Sequence, residues 1–296
     1  MAKIATFFIS MKNSQSHRFI TASTIILMLV LFSGFRPFPQ SAESVVRGVE
    51  SAFQVNSHAE LYVMVRVEKN GEIHTDQWLL MYEYDDQDTR GVWRILPRYG
   101  HESTTLLSIQ QPGKATKLFL KSGEDGALEE VDGMARRRAF GPSDWNMEDI
   151  YDDDKHDWSH RKIGSAMVRG VGTIVIESRY DDPTLRDQSI YSKRRVYLAK
   201  DNQRFLRSDY YDRTGTMVKT VNAAHHENVG SDDGVPRIRP RRLEIVDLQD
   251  GSMTVMVRVY SVFDEELPRE LFSEEGVASW DASTDKKLIE LLEKDS

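Results

Sequence analysis

From residue 59 onward the chain alternates apolar and polar positions in short runs. Ala59, Leu61, Val63, Val65 and Val67 alternate with Glu60, Tyr62, Met64, Arg66 and Glu68, the period of two that a half-buried strand requires. Asn70-Gly71 supplies a two-residue turn of the kind that closes a hairpin, and the returning run places Trp78, Leu80, Tyr82 and Tyr84 on one face. Further strands are predicted over 92–96, 104–110, 116–121, 157–163, 172–180, 191–200, 205–211, 216–225, 243–249 and 252–263. Pro112-Gly113, Asp201-Asn202, Thr214-Gly215 and Asp250-Gly251 mark turns between them. Helical spacing is confined to a few places. Val45, Val46, Val49, Ala52 and Phe53 form one stripe over 44–55. Ser143 or Asp144 can cap a short helix over 145–151, 265–272 reads as helical, and 284–294 reads as a charged, loosely attached helix. A meander of about ten strands has to curl or close, because a flat sheet of that size leaves long open edges.

Before the first strand the pattern changes. Lys12 and Arg18 precede an uncharged segment over 19–35, richest in apolar residues over 25–32, and Ser41-Ala42 offers a small-residue cleavage point. This is the layout of a secretory signal peptide over 1–42, with an uncleaved membrane anchor as the alternative. The expected organisation is then one exported domain over 43–282 and a charged tail over 283–296, both outside the cytoplasm. The first 42 residues hold four basic residues and no acidic one, so without them the net charge falls from −8 to −12. An acidic chain repels polyanions, which argues against general nucleic-acid binding. With no cysteine, thiol chemistry, zinc–thiolate sites and disulfides are excluded.

Several segments in the second half of the pattern carry a resemblance. Leu118-Phe119-Leu120-Lys121 leads through an acidic-Gly turn to Val131-Asp132-Gly133-Met134-Ala135-Arg136-Arg137-Arg138. A Gly-Pro-Ser-Asp-Trp turn at 141–145 then opens a short acidic helix. Arg204 to Thr220 holds a strand, the turn Tyr211-Asp212-Arg213-Thr214-Gly215, and a return strand bearing Lys219. In that order, and with Arg239-Pro240-Arg241-Arg242-Leu243-Glu244 and Leu271-Phe272-Ser273 near the end, residues 45–280 resemble the outer-membrane lipoprotein-sorting proteins (LolA-like). Pro142 splits the family's glycine-serine pair, and Asp152-Asp153-Asp154 makes the helix end unusually acidic. The resemblance implies a mainly β fold with a few helices (α+β): a single unclosed antiparallel barrel covered by short helices. It implies a monomeric periplasmic carrier of lipid or lipoprotein acyl chains, without catalysis or cofactor. Its partners would be an inner-membrane export complex or an outer-membrane acceptor. A sensing module on the same fold, signalling to a membrane partner, is the alternative.

On this reading the hollow is lined by Leu61, Val63, Val65, Trp78, Leu80, Tyr82, Trp93, Ile95, Leu118, Leu120, Ile174 and Ile176, which in any sheet could equally be ordinary core. Arg136, Arg137, Arg138, Arg239 and Arg241 are the sharpest basic features of an acidic protein. They read either as a docking surface for an acidic partner or headgroup, or as charged guards on strand edges. Other chemistry finds little support. His225-His226 point to opposite faces of a strand and cannot easily share one metal ion. The aspartates at 152–154 read as a solvated loop, and no Gly-x-Ser-x-Gly elbow, phosphate loop or dinucleotide glycine pattern is present.

Overall fold

The computed structural model describes residues 41–46, 56–84, 88–97, 102–111, 114, 116–150, 158–232, 235–264 and 266–294. Among these residues thirteen strands form one antiparallel sheet in the order β6-β5-β4-β3-β2-β1-β13-β12-β11-β10-β9-β8-β7. The near arm is β1 (Ser57–Val67), β2 (Ile73–Tyr84), β3 (Thr89–Ile95), β4 (Thr104–Gln110), β5 (Lys117–Ser122) and β6 (Leu128–Glu130). The far arm is β7 (Trp158–Val168), β8 (Val171–Tyr180), β9 (Lys193–Ala199), β10 (Phe205–Tyr211), β11 (Met217–Asp232) and β12 (Val235–Asp247). β13 (Met253–Phe263) joins them by pairing with β1. The chain thus runs from the middle of the sheet to one edge, crosses to the other, and returns strand by strand.

The crossing shows that the sheet is curled. Between β6 and β7 lie a 3-10 turn, Gly133–Arg137, and a single helical turn, Met147–Ile150. The Ile150 carbonyl accepts from Tyr82 Oη of β2 at 3.0 Å, while the adjacent Asp149 carboxylate accepts from Tyr191 Oη, just before β9, at 3.3 Å. β2 and β9 are six strand intervals apart, about 29 Å on a flat sheet. Side chains that stand off a sheet cannot cover that distance sideways. The sheet therefore bends round this segment, and the face it touches is concave.

The opposite, convex face of the near arm is covered by the C-terminal segment. Ala59, Leu61, Leu79, Met81, Val92 and Leu107 pack against Phe272, Val277, Trp280, Leu288 and Leu292. These come from the 3-10 turn Arg269–Phe272 and the helices Glu274–Ala278 and Ala282–Lys294. The last helix is not loosely attached, as its charge led us to expect. Leu288 and Leu292 are buried, and Asp285 receives two bonds from the fully buried Arg94, Nε to Oδ1 at 2.5 Å and Nη2 to Oδ2 at 2.8 Å.

Other departures from the pattern have local causes. β6 is three residues long and carries two glutamates, too short to show a period. In the basic segment that follows β6, Gly133–Arg137 form the 3-10 turn. β12 begins at Val235 despite Pro236 and Pro240, because its first half pairs with β11 alone and an edge tolerates proline. The β1–β2 connection is longer than two residues, since Val67 pairs with Ile73, but Asn70 and Gly71 do sit at its tip, where Gly71 takes φ +86°. Residues 42–46 are helical and buried at Ala42 and Val45. The remainder of the helix expected over 44–55, the signal segment over 1–40, and the aspartates at 152–154 lie outside the described residues.

Candidate functional site on the concave face

Cross-strand pairing decides which residues share the inner face. Tyr62 is opposite Trp78, Trp78 opposite Ile95, Leu80 opposite Trp93, and Leu106 opposite both Trp93 and Leu120. Trp78, Leu80, Trp93, Ile95 and Leu118, with Tyr82 and Leu120 at its margin, form one cluster with Tyr62, Met64, Val221, Ile245 and Met256. The crossing segment fills this cluster with Phe140, Trp145, Met147 and Ile150. Trp78 meets Trp93 and Phe140 edge-on at 6.0 and 5.1 Å between ring centres. Trp93 Nε1 donates to Tyr82 Oη at 2.7 Å, which passes the bond on to Ile150. Two glycines make room: a Cβ on Gly91 would lie 2.6 Å from the Tyr82 ring, and one on Gly141 would lie 2.1 Å from Ile95. Gly141 also has φ +60°, a turn other residues adopt only with strain.

On the far arm the inner face continues as a smaller aliphatic patch. Ile176 and Leu198, with Ile174, Val196 and Phe205, pack under Ala42, Val45 and Val46. Phe205 also touches the aromatic cluster, so the two patches are continuous. Nine of the twelve residues expected to line the hollow therefore share one face. Leu61, Val63 and Val65 do not. They lie on the convex side, since pairing places Tyr62 and Met64, not their neighbours, beside Trp78 and Met256. Tyr62, Met64, Phe140, Trp145, Leu198 and Phe205 were missed. For the first two, the Asn70-Gly71 hairpin register was the signal that could have revealed them.

A polar cluster sits at one end of the same face. Glu60 accepts from Arg258 Nη1 at 2.8 Å and from Tyr62 Oη at 3.1 Å, with Arg239 Nη1 at 3.5 Å. Burial pushes the Glu60 carboxyl up, but Arg239, His58 and Arg258 outweigh it and hold it at about 2. Burial, then the charge of Arg239, pushes His58 down to about 3. His58 is thus neutral, and it stacks on Tyr82 and Phe263. At the far side, Asp149 takes Lys219 Nζ at 2.7 Å, and Glu148 accepts from Ser189 and from Ile190 N.

The expected docking arginines divide. Arg239 is buried against Glu60, so it offers no free surface. Arg136 donates to the Thr116 carbonyl, and Arg137 to the carbonyls of Asp187 and Gln188. They tie the crossing segment to the two arms. Arg138 is exposed, and Arg241 is half exposed beside Glu227. Among the described residues there is no group of three or more His, Asp or Glu side chains placed to hold a metal ion. Nor is any helix among them long and apolar enough to cross a membrane.

A family model described as that of an uncharacterized protein matches residues 87–278. The chain belongs to this family. A DUF1329 family protein from Desulfovibrio piger has a similar structure, with a TM-score of 0.70 at 18% identity over 78% of this chain and 95% of that one. A protein from Vibrio parahaemolyticus, described as an outer membrane lipoprotein-sorting protein domain, also scores 0.70 at 18% identity over 81% and 98%. A LolA superfamily protein from Nitrosomonas europaea scores 0.60 at 14% identity over 79% and 97%. The likenesses establish for the family member described here the LolA-like fold, an open antiparallel half-barrel with few helices. No curated protein matches the sequence.

Proposed function

We propose that the protein is a periplasmic carrier that binds acyl chains of lipid or lipoprotein along the concave face. The observation that carries this reading is a continuous apolar inner surface, from Leu118 of β5 to Ile174 of β8, covered by two short segments and not by sheet closure. Each methylene withdrawn from water contributes about 0.8 kcal/mol, so a long chain needs no specific polar contact to be retained. The cover at residues 42–46 buries only Ala42 and Val45 on the far-arm patch and can exchange with such a chain. In this reading chains enter beneath residues 42–46 and lie against Ile174, Ile176, Val196, Leu198 and Phe205. They then extend toward Trp93, Ile95, Leu118 and Leu120. Structurally similar proteins described as lipoprotein-sorting support the assignment.

Protein isolated gently from its native envelope should release acyl lipids on extraction, identified by mass spectrometry in near-stoichiometric amounts. Leu198→Asp should remove them while leaving the aromatic cluster folded. Lipid-free native protein that also fails to take up a fluorescent fatty acid would overturn the reading.

A further inference from the structure

The back of the far arm concentrates positive charge on one surface. Register places Arg161 of β7 opposite Glu177 of β8, Glu177 opposite Arg195 of β9, and Arg195 opposite Asp209 of β10. Directly opposed residues stand on the same face of a sheet, so these side chains form one row across four strands. Ile176, next to Glu177, packs on the inner patch, and alternation therefore puts the row on the convex face. Arg179, Lys193 and Arg207 lie two residues along their strands from Glu177, Arg195 and Asp209, and share that face.

The carboxylates lie beneath and the cations on top. Arg161 Nη2 and Arg179 Nη2 reach Glu177 Oε1 at 3.1 and 2.9 Å, and Arg195 Nε and Lys193 Nζ reach Oε2 at 3.1 and 3.5 Å. The Glu177 side chain is 3% exposed, against 74% for Arg161 and 54% for Arg179. Asp209 is likewise buried, with Arg207 Nε at 2.7 Å. Every one of these cations has a carboxylate neighbour, but Glu177 carries a single charge and cannot cancel four. Five cations over two carboxylates leave three positive charges on this face, in a chain whose net charge is −8. The Tyr211 ring, whose centre is 4.9 Å from both Lys193 Nζ and Arg195 Cζ, steadies two of the charged heads.

We propose that the convex face of the far arm docks an acidic polypeptide segment, whose carboxylates are taken by Arg161, Arg179, Lys193 and Arg195. The planar donors of arginine match a carboxylate two bonds at a time, and an acidic chain relieves the mutual repulsion of the four cations. The curvature selects the partner. A flat bilayer would meet a convex face along one strip only, whereas a polypeptide can follow it across the strands. On the near arm the same face is apolar and is already taken up by the C-terminal helices. The surface lies on the side of the sheet away from the acyl-binding face, and the proposal does not depend on acyl binding.

A fluorescein-labelled decaglutamate peptide should bind the purified protein saturably at low salt, with amide shifts at residues 161, 177–179 and 193–195. Its affinity should fall as salt is raised, because exposed charges are then screened. The double variant Arg161→Gln/Arg179→Gln removes two exposed heads and leaves Glu177 with Lys193 and Arg195, so the sheet keeps its buried pair. It should weaken binding about tenfold. Arg138→Gln, at an exposed arginine elsewhere, should change it by less than about twofold. Absence of saturable binding, shifts confined to other residues, or equal losses in the double variant and Arg138→Gln would each overturn the proposal. Attachment to phosphatidylglycerol vesicles through the same arginines, with decaglutamate ignored, would make the partner a bilayer and overturn it as well.

Discussion

Near-arm strands are buried on both faces, the inner by Phe140, Trp145 and Ile150 and the outer by the C-terminal helices. Over β7–β10 of the far arm the inner face carries a smaller aliphatic patch under residues 42–46, with Phe205 and Tyr210 at the margin of the aromatic cluster, and the outer face carries side-chain charge. There Glu177 lies beneath Arg161, Arg179 and Arg195 at 3.1, 2.9 and 3.1 Å, and Asp209 beneath Arg207 at 2.7 Å. Burial raises the Glu177 carboxyl, but the bonds from Arg195 and Arg179 prevail and bring it to about 2. One continuous sheet thus divides its tasks. The near arm is a conventional two-sided core that fixes the curl. The far arm has an apolar inner face under a smaller cover and a polar back.

Substitutions should separate the arms. Trp78→Ala, at a fully buried ring packed edge-on by two others, should cost about 3–5 kcal/mol in urea unfolding. Ile174→Ala on the far arm should cost only about 1–2 kcal/mol. Equal costs would erase the distinction. Asp285→Ala leaves Arg94 buried without its counter-charge, which should cost about 3 kcal/mol. It should also loosen the Ala282–Lys294 helix first, seen as faster amide exchange there than on β8 and β9.

Acid gives a smaller and graded effect. His58 is depressed from 6.5 to about 3 and Glu60 from 4.5 to about 2. In both cases the unfolded chain binds the proton more readily, so acid favours unfolding. Their contribution is complete above pH 6.5, and the His58 part is lost as pH falls from 6.5 to 3. The Glu60 part is lost between 4.5 and 2. Melting temperature should therefore decline on acidification from pH 7, and His58→Gln should flatten the limb between 6.5 and 4.5.

Much of this was legible in the sequence, and the failures are instructive. Period-two alternation located the strands because each has one face to bury, and the resemblance implied the half-barrel that the similar structures establish. Alternation fixes a period but not a phase. Leu61, Val63 and Val65 are more apolar than Tyr62 and Met64, yet the pairing with Trp78 turns the larger side chains inward. The C-terminal helix was misjudged because eight of its thirteen residues are charged or hydroxylated, while the stripe of Asp285, Leu288 and Leu292 does the packing. An aspartate in that stripe looks like a surface residue until Arg94 is found 191 residues away. The point at which β12 and β13 part, after Arg242↔Val257, also lay beyond reach, since it depends on pairing and not on pattern.

The strand order has a consequence for how the chain comes to be folded. Eleven of its twelve described pairings join consecutive strands, so each arm can assemble from neighbours as they are synthesised. The twelfth joins β1 to β13, and His58 must wait for Phe263. Until then β1 presents an open row of amides to any passing strand, the kind of edge on which chains aggregate. Closing that seam is the slow, long-range event in the folding of this protein, and the interval before it is when a holding chaperone has most to protect.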